Sequence, residues 1–284
     1  MSVEHSARSA ATRRRVSLGG RYLLLILLAV IVVFPIYITV VNSLLSPQAI
    51  AQRPPTLFPT HPSFQAYSTA WHAGHLSVYL RNSFVVAILI TAGQVCTAII
   101  AGYAFAMLRF PGRTLLFVVF LSTLMVPFEA TIITNRRTVV DLGWYNHYPA
   151  LIVPFLATGL GTFLLRQAFL GVPRELQDAA RLDGLGQWRF MTRVAVPLVR
   201  PTIAALSIFS FLGAWNQYLW PLLVADSDRV RTVQIGLRQL EGTSIDQINV
   251  TFAGTVIAAL PIFILLIVFQ RHLVRGLTAG AVKG

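Results

Sequence analysis

Two clusters of side chains in this 284-residue sequence are equipped for chemistry, and both lie within apolar sequence. Glu129 stands in the run M-V-P-F-E-A-T-I-I, where a carboxylate costs about 2.5–3.5 kcal/mol if it is carried to the centre of a bilayer. It is therefore expected to face water, a partner or a solute path, and Pro127 just before it can open the helix by freeing a carbonyl. An ion pair with Arg136 or Arg137 near an interface is the competing account. The second cluster is Trp215, Asn216, Gln217, Tyr218 and Trp220. Aromatic faces stack on sugar rings and amides share hydrogen bonds with hydroxyls, so these residues suit a polyol; they suit an interfacial aromatic belt equally well. The candidate path residues are thus Glu129, Trp215, Asn216, Gln217 and Tyr218. Asn82 and Ser83, heading another apolar run, read as interhelical hydrogen-bonding groups.

Other chemistry finds no residues. The six histidines form no H-E-x-x-H pair or Cys/His cluster, so no metal site is expected. Cys96, the one cysteine, rules out an internal disulfide and reads as a packing residue. The only lysine is Lys283, so no P-loop can be built here and the chain cannot bind and hydrolyse nucleotide by that route. No catalytic residue is assigned.

Between two strongly apolar runs lies a polar segment, V-P-R-E-L-Q-D-A-A-R-L-D-G-L-G-Q-W-R-F-M-T-R-V-A-V-P-L-V-R-P, from Val172 to Pro201. Pro173 suits a first helical turn, and Glu175 and Asp178 fall where the helix dipole favours negative charge. Leu176, Ala179, Ala180 and Leu182 form a stripe of mostly small residues at helical spacing that another surface can approach closely. Gly184 permits the positive φ that ends a helix. A second short helix is expected to follow, with Trp188, Phe190, Met191 and Val194 on its apolar side, until Pro197 breaks it. Such a helix-turn-helix cannot bury both faces alone and calls for a receptor cleft. Lying flat on the bilayer, anchored by Trp188 and the arginines, is the alternative.

These elements belong to a membrane protein. A mean hydropathy of +0.67, with 55% hydrophobic and 12% charged residues, leaves too little charge for a soluble surface. Six runs reach the roughly 20 residues needed to cross a hydrocarbon core: near 22–43, 80–108, 114–135, 148–170, 201–224 and 250–270. The formal charge of +13 could suggest nucleic acid, but its distribution argues otherwise, because 16 of the 23 basic residues fall on one side if the chain starts inside. The positive-inside rule then places both termini and the 166–200 region in the cytoplasm. Arg136 and Arg137 fall on the other side, where an anionic ligand or acidic partner could use them. The Arg-rich start with its apolar stretch lacks a small-x-small cleavage site after it and reads as an uncleaved first span. The expected organisation is a basic tail (1–21), a first span (22–43), a proline-rich extracytoplasmic connection (44–79), a five-span core (80–270) containing the 172–200 loop, and a tail (271–284).

The polar segment resembles the coupling loop, or EAA loop, of membrane subunits of bacterial ABC importers. Asp178-Ala179-Ala180 stand for Glu-Ala-Ala and Gly184 for the turn glycine, with Asp178 replacing the usual Glu and Leu185 the usual Ala. W-N-Q-Y-L-W-P from Trp215 and the stretch from Gln270 to Gly284 also resemble the carbohydrate-type permeases. M-V-P-F-E-A-T-I-I and T-F-L-L-R-Q-A-F are most similar to the permeases for glycerol-3-phosphate and related glycerophosphodiesters. The resemblance implies an all-α, six-span type I importer fold and a permease subunit for a sugar or glycerol-phosphate-type solute in the bacterial inner membrane. It implies a second homologous permease, an extracytoplasmic solute-binding protein and two cytoplasmic ATPase subunits that carry ATP and Mg. Glu175, Asp178, Ala179, Ala180, Asp183 and Gly184 are its implied ATPase-coupling residues. The rival is an ion-coupled secondary carrier, for which Glu129 is nearly the sole coupling group.

Overall fold

A computed structural model of the chain describes residues 2–72, 74–241 and 247–278, the side chains of 2–19 and 271–278 excepted. All regular structure among the described residues is helical. The order is α1 (Ser2–Leu44), α2 (Pro47–Ile50), α3 (Gln65–His72), α4 (Leu76–Met107), α5 (Arg113–Ser122), α6 (Phe128–Asp141), α7 (Tyr148–Ile152) and α8 (Gly159–Leu170). There follow α9 (Arg174–Leu182), α10 (Gln187–Phe190), α11 (Val196–Leu198), α12 (Arg200–Trp215), α13 (Leu219–Val224), α14 (Val233–Glu241) and α15 (Ile248–Thr278).

Three stretches are unbroken and apolar enough to cross a membrane: Gly20–Leu44, Leu76–Met107 and Ile248–Gln270. Three bent pairs pass the same test, which gives up to six spans if each pair is one: Arg113–Met125 with Phe128–Asp141 at 96°, Tyr148–Phe155 with Gly159–Leu170 at 42°, and Gln187–Leu198 with Arg200–Trp215 at 79°. Six apolar runs were expected; three of them are not single helices. Proline supplies the local reason, since it lacks the N–H its i−4 carbonyl needs and its ring crowds that carbonyl. Pro127 sits at the 96° break, with Val126 extended before it (φ −87°, ψ 111°). The run 201–224 is likewise divided: α12 ends at Trp215, and Pro221 leaves the Gln217 carbonyl without a helical donor.

The chain resolves into two compact units. One comprises Met1–Ala70 and Leu240–Ile257, the other Trp71–Gln239 and Ala258–Gly284. In the first, the Asn249 Nδ2 donates to the Leu45 carbonyl at 3.1 Å, the Ser43 and Tyr67 hydroxyls share a hydrogen bond at 2.6 Å, and Tyr37 donates to the Leu57 carbonyl at 2.7 Å. The apolar side chains from Tyr22 to Phe34 in α1 are exposed, as a lipid-facing surface requires.

In the second unit α4 is the central helix, packed against α8 and α12. Gly102 makes the α4–α8 approach possible: a Cβ there would meet the Arg166 amide nitrogen at 3.0 Å. This close crossing through a small residue is the usual way membrane helices gain packing without a hydrophobic drive. The break between Phe155 and Gly159 also depends on α4. Gln94 donates to the Phe155 carbonyl at 2.9 Å and Thr97 to the Leu156 carbonyl at 2.8 Å, satisfying groups that the helix no longer pairs. Similarly, Pro154 cannot serve the Ala150 carbonyl, and the Trp220 Nε1 reaches it instead at 2.9 Å. The broken helices are thus repaired by side chains from neighbours, as a non-aqueous setting demands.

Candidate functional site

The polar segment folds as the expected helix-turn-helix. At the end of α9 the chain forms a Schellman motif: the Leu185 amide donates to the Ala180 carbonyl at 2.8 Å and the Gly184 amide to the Arg181 carbonyl at 3.0 Å. Gly184 is left-handed at φ +73°. Leu185, the residue beyond the turn, packs into the same cluster as Ala180, which is the apolar contact that accompanies this motif. Leu185 in place of the usual Ala therefore has a packing role. The second helix differs from expectation. It continues through Pro197 to Leu198 and turns at Val199 (φ −97°, ψ 12°), because a π-helical turn over Met191–Ala195 absorbs the proline.

The motif's two faces separate cleanly. Ala180, Phe190, Met191 and Ala195 are buried with Tyr103, Leu165, Phe169 and Val172, and the Tyr103 hydroxyl donates to Gln187 Oε1 at 2.7 Å. Ala180 therefore fastens the pair to the membrane helices and does not present itself to a partner, a correction to its place in the docking stripe. Glu175, Asp178, Ala179, Asp183 and Gly184 are exposed. Beside them Leu182 is 90% and Trp188 65% exposed, and Leu176 is exposed as well. Asp178 pairs with Arg181 at 3.6 Å, a surface contact worth little by itself. An exposed leucine and tryptophan among charges, on a rigidly held pair of helices, make a surface that is incomplete without a partner.

The second candidate region gathers around the helix breaks. Glu129 lies in the first turn of α6, exposed, where the dipole of that helix favours its charge. No ion pair to Glu129 occurs among the described residues. Arg136, its expected alternative partner, is engaged elsewhere: Nε donates to the Leu223 carbonyl at 3.0 Å and the guanidinium lies 5.6 Å over the Tyr145 ring. Phe128, next to Glu129, meets Phe155 at 5.3 Å and Trp220 at 5.6 Å, so the start of α6, the break after Phe155 and α13 share one aromatic cluster. This brings the α6 start and the 216–218 break to the same part of the molecule. Asn216 and Tyr218 are exposed there. Gln217 is half-buried with an Oε1 that finds no donor among the described residues.

Trp215 is different. It is 1% exposed, stacked on Phe211 at 5.6 Å and edge-on to Phe84 at 4.8 Å, so it belongs to the core and not to a path. Trp220 is also buried. Asn82 and Ser83 do make interhelical hydrogen bonds, to the first residues of α7 and α14, and Asn82 also holds the loop before α14. The buried Asn82 Nδ2 donates to the carbonyls of Arg229 at 3.0 Å and Arg231 at 2.9 Å, its Oδ1 accepts from the Tyr148 hydroxyl at 2.7 Å, and Ser83 accepts from the Val233 amide at 2.8 Å. Nearby, a hydrogen bond from Tyr79 and the Arg231 guanidinium hold Asp228 below the usual carboxylate range, so this clamp keeps its charge at neutral pH. No group of metal-ligating side chains occurs among the described residues.

With six spans and a Gly184-turned helix pair in place, the comparison with known proteins is decisive. The family of binding-protein-dependent transport system inner membrane components matches residues 82–279. The chain belongs to that family. It is the permease subunit of an ABC importer, and the resemblance first carried by the 172–200 loop extends over most of its length.

Relatives of this permease include the sn-glycerol-3-phosphate transport system permease protein UgpE of Yersinia pestis bv. Antiqua (strain Antiqua), 35% identical over 264 residues, which are 90% of this chain and 94% of that protein. The proteins of that name from Brucella abortus (strain 2308) and Rhizobium meliloti (strain 1021) are 37% and 38% identical over 265 residues, again 90% of this chain and 94% of theirs. Among solved structures, a bacterial ABC transporter involved in the import of the acidic polysaccharide alginate superposes with a TM-score of 0.82 at 20% identity, over 90% of this chain and 96% of that one. A bacterial alginate ABC transporter in complex with an alginate pentasaccharide-bound periplasmic protein gives 0.59 at 15% identity, over 88% of this chain and 94% of that one. The two structures speak for the fold, which is that of an importer permease.

Proposed function

We propose that this permease moves a glycerol-phosphate-type or related polyol solute across the bacterial inner membrane, driven by ATP hydrolysed on separate subunits. The exposed face of the Gly184-turned helix pair carries the reading, because it offers a partner Leu182, Trp188 and charged neighbours on a rigid support. Two cytoplasmic ATPase subunits, holding ATP and Mg, would receive this surface on each half of the transporter. A second homologous permease and an extracytoplasmic solute-binding protein complete the complex. Glu175, Asp178, Ala179, Asp183 and Gly184 make or shape the docking face, and Ala180 holds it to α4 and α8. ATP-driven closure of the ATPases would tilt the pair and reorient the spans; the chain itself catalyses no reaction. Names of relatives that are 35–38% identical favour glycerol-3-phosphate over other polyols, and membership of this family disfavours the ion-coupled alternative.

For the solute path we assign Glu129, Asn216, Gln217 and Tyr218. The carboxylate and amides accept and donate to solute hydroxyls, and the exposed Arg137, two turns along α6, offers charge to a phosphate-type group. In the reconstituted complex, ATPase activity should rise several-fold with one solute among sn-glycerol-3-phosphate, glycerophosphodiesters and neutral sugars. Equal response to all three, or to none, would reject the solute assignment. In the same preparation Glu129→Ala should lower uptake roughly tenfold, the loss expected for one charge-assisted hydrogen bond. Complex yield should stay constant, and a fall in yield matching the fall in uptake would make Glu129 a structural residue.

The charge distribution places both termini and the 172–200 loop in the cytoplasm. Cysteines introduced at residues 5 and 283 should react with an impermeant reagent only after the cytoplasmic side is opened, and those at 60 and 240 from outside. The reverse pattern would overturn the orientation.

A further inference from the structure

Where α4 ends and α5 begins, a cavity of about 650 Å³ lies against the helix pair, lined by Arg109, Arg113, Arg174, Arg181, Gln177 and Asp178 among others. A second concavity of about 470 Å³ adjoins it, sharing Arg109, Phe110 and Arg113 and adding Gly112, Thr114 and Leu115. Four arginines thus line a space with one acidic residue in its wall, and that residue, Asp178, is already matched to Arg181. Arg113 donates to the Leu108 carbonyl at 2.9 Å, while Arg109 and Arg174 have no acidic partner among the described residues.

Two further features point the same way. The Gln177 Nε2 is buried with no acceptor among the described residues, an unmet donor in the cavity wall. The ten-residue helix α5 starts at a left-handed Gly112 without a side-chain cap, so its first-turn N–H groups, on residues lining the second concavity, receive no side-chain acceptor at the N-cap. The unpaired side chains here are thus a donor, Gln177, and cations. The depth is also specific: the apolar stretch Leu76–Met107 ends two residues before Arg109, which places the cavity at the boundary of the hydrocarbon.

The geometry points to a binding site for a phosphate-type anion between the α4–α5 turn and α9, held by Arg109, Arg113, Arg174 and Gln177. Occupied, it ties the docking helix α9 to the membrane boundary by charge-assisted hydrogen bonds. The phosphodiester of an anionic lipid and free inorganic phosphate present the same chemistry to these donors. The assignment does not depend on the transported solute.

The purified full-length permease can be tested directly. Native mass spectrometry should show phosphatidylglycerol retained in preference to phosphatidylcholine, with retention falling about fivefold for each guanidinium removed in R109Q, R174Q and their double variant. R53Q, a control in the 44–79 connection outside both sites, should behave as the parent, and R109K/R174K should recover most of the retention. If the source is free phosphate, lipid preference is absent, but inorganic phosphate raises the melting temperature saturably in the parent and not in R109Q/R174Q. Should the double variant fail to stay monodisperse, the two single variants give the same reading. Equal retention of both lipids with no phosphate effect, or parent-like anion binding in all the glutamine variants, would overturn the site. Parent-like anion binding together with lost ATPase-subunit association would reassign the arginines to docking.

Discussion

Replacing Gly184 by valine is expected to reduce transport by tenfold or more while leaving the permease inserted in near-normal amount. Space is not the obstacle, because a Cβ at this position would meet nothing within 4 Å. The cost lies in the backbone: φ is +73°, a region in which a β-branched residue is strained by about 1–3 kcal/mol. The chain relieves that strain by giving up the two Schellman hydrogen bonds, and with them the angle between α9 and the following helix. The exposed Leu182 and Trp188 then no longer present one surface. Because the membrane helices are untouched, insertion should persist. Gly184→Asn supplies the control, since asparagine tolerates the left-handed region and should retain much of the activity. Uptake and solute-stimulated ATPase activity, normalised to membrane content, decide the matter. Parent-like coupling in the valine variant would show that the turn does not govern docking.

Asn82→Ala should destabilise the folded permease by about 3–5 kcal/mol, the range reached when a buried hydrogen-bond network is broken. Asn82 is fully buried and its amide answers the carbonyls of Arg229 and Arg231 while its oxygen answers Tyr148. Alanine removes one residue but leaves three other groups unmatched away from water. Against a typical net stability of about 5–15 kcal/mol, that is enough to lower yield and melting temperature together. Asn82→Asp should not rescue, because a carboxylate would face carbonyl oxygens where the amide donated. Tyr148→Phe should cost less, since it deletes a single bond. Thermal unfolding in detergent, followed by size-exclusion chromatography, measures all three; an alanine variant that melts within about a degree of the parent would refute the role of Asn82 as the clamp of the 228–233 loop.

Much of the site was legible because its constraints are local. Gly184, with acidic residues early in α9 and an apolar-polar alternation around them, defines a helix, its end and a positive φ within a dozen residues, and none of this needs a distant partner. The absence of any lysine before Lys283 excluded a P-loop just as directly. The six apolar runs followed from hydropathy, which integrates over a whole span. Pro127 was readable as a weak point for the same reason, since a missing N–H is a property of one residue.

What the tertiary structure decided is which face of each helix is covered and how each break is repaired. A 3.6-residue period gives a stripe containing Ala179, Ala180 and Leu182 but does not say that Ala180 turns inward while Leu182 stands 90% exposed. The W-N-Q-Y-L-W-P sequence gathers aromatics and amides without revealing that Trp215 and Trp220 are buried and Asn216 and Tyr218 are not. Pro154 and Pro221 announce unpaired carbonyls, yet that Trp220 would serve Ala150, seventy residues away, depends on how α13 packs on α7. Arg109 and Arg174 become neighbours of one cavity only because Gly102 lets α4 and α8 approach closely. Backbone propensities act over a few residues and are written in the sequence, whereas burial and charge proximity are set by contacts between helices far apart along it.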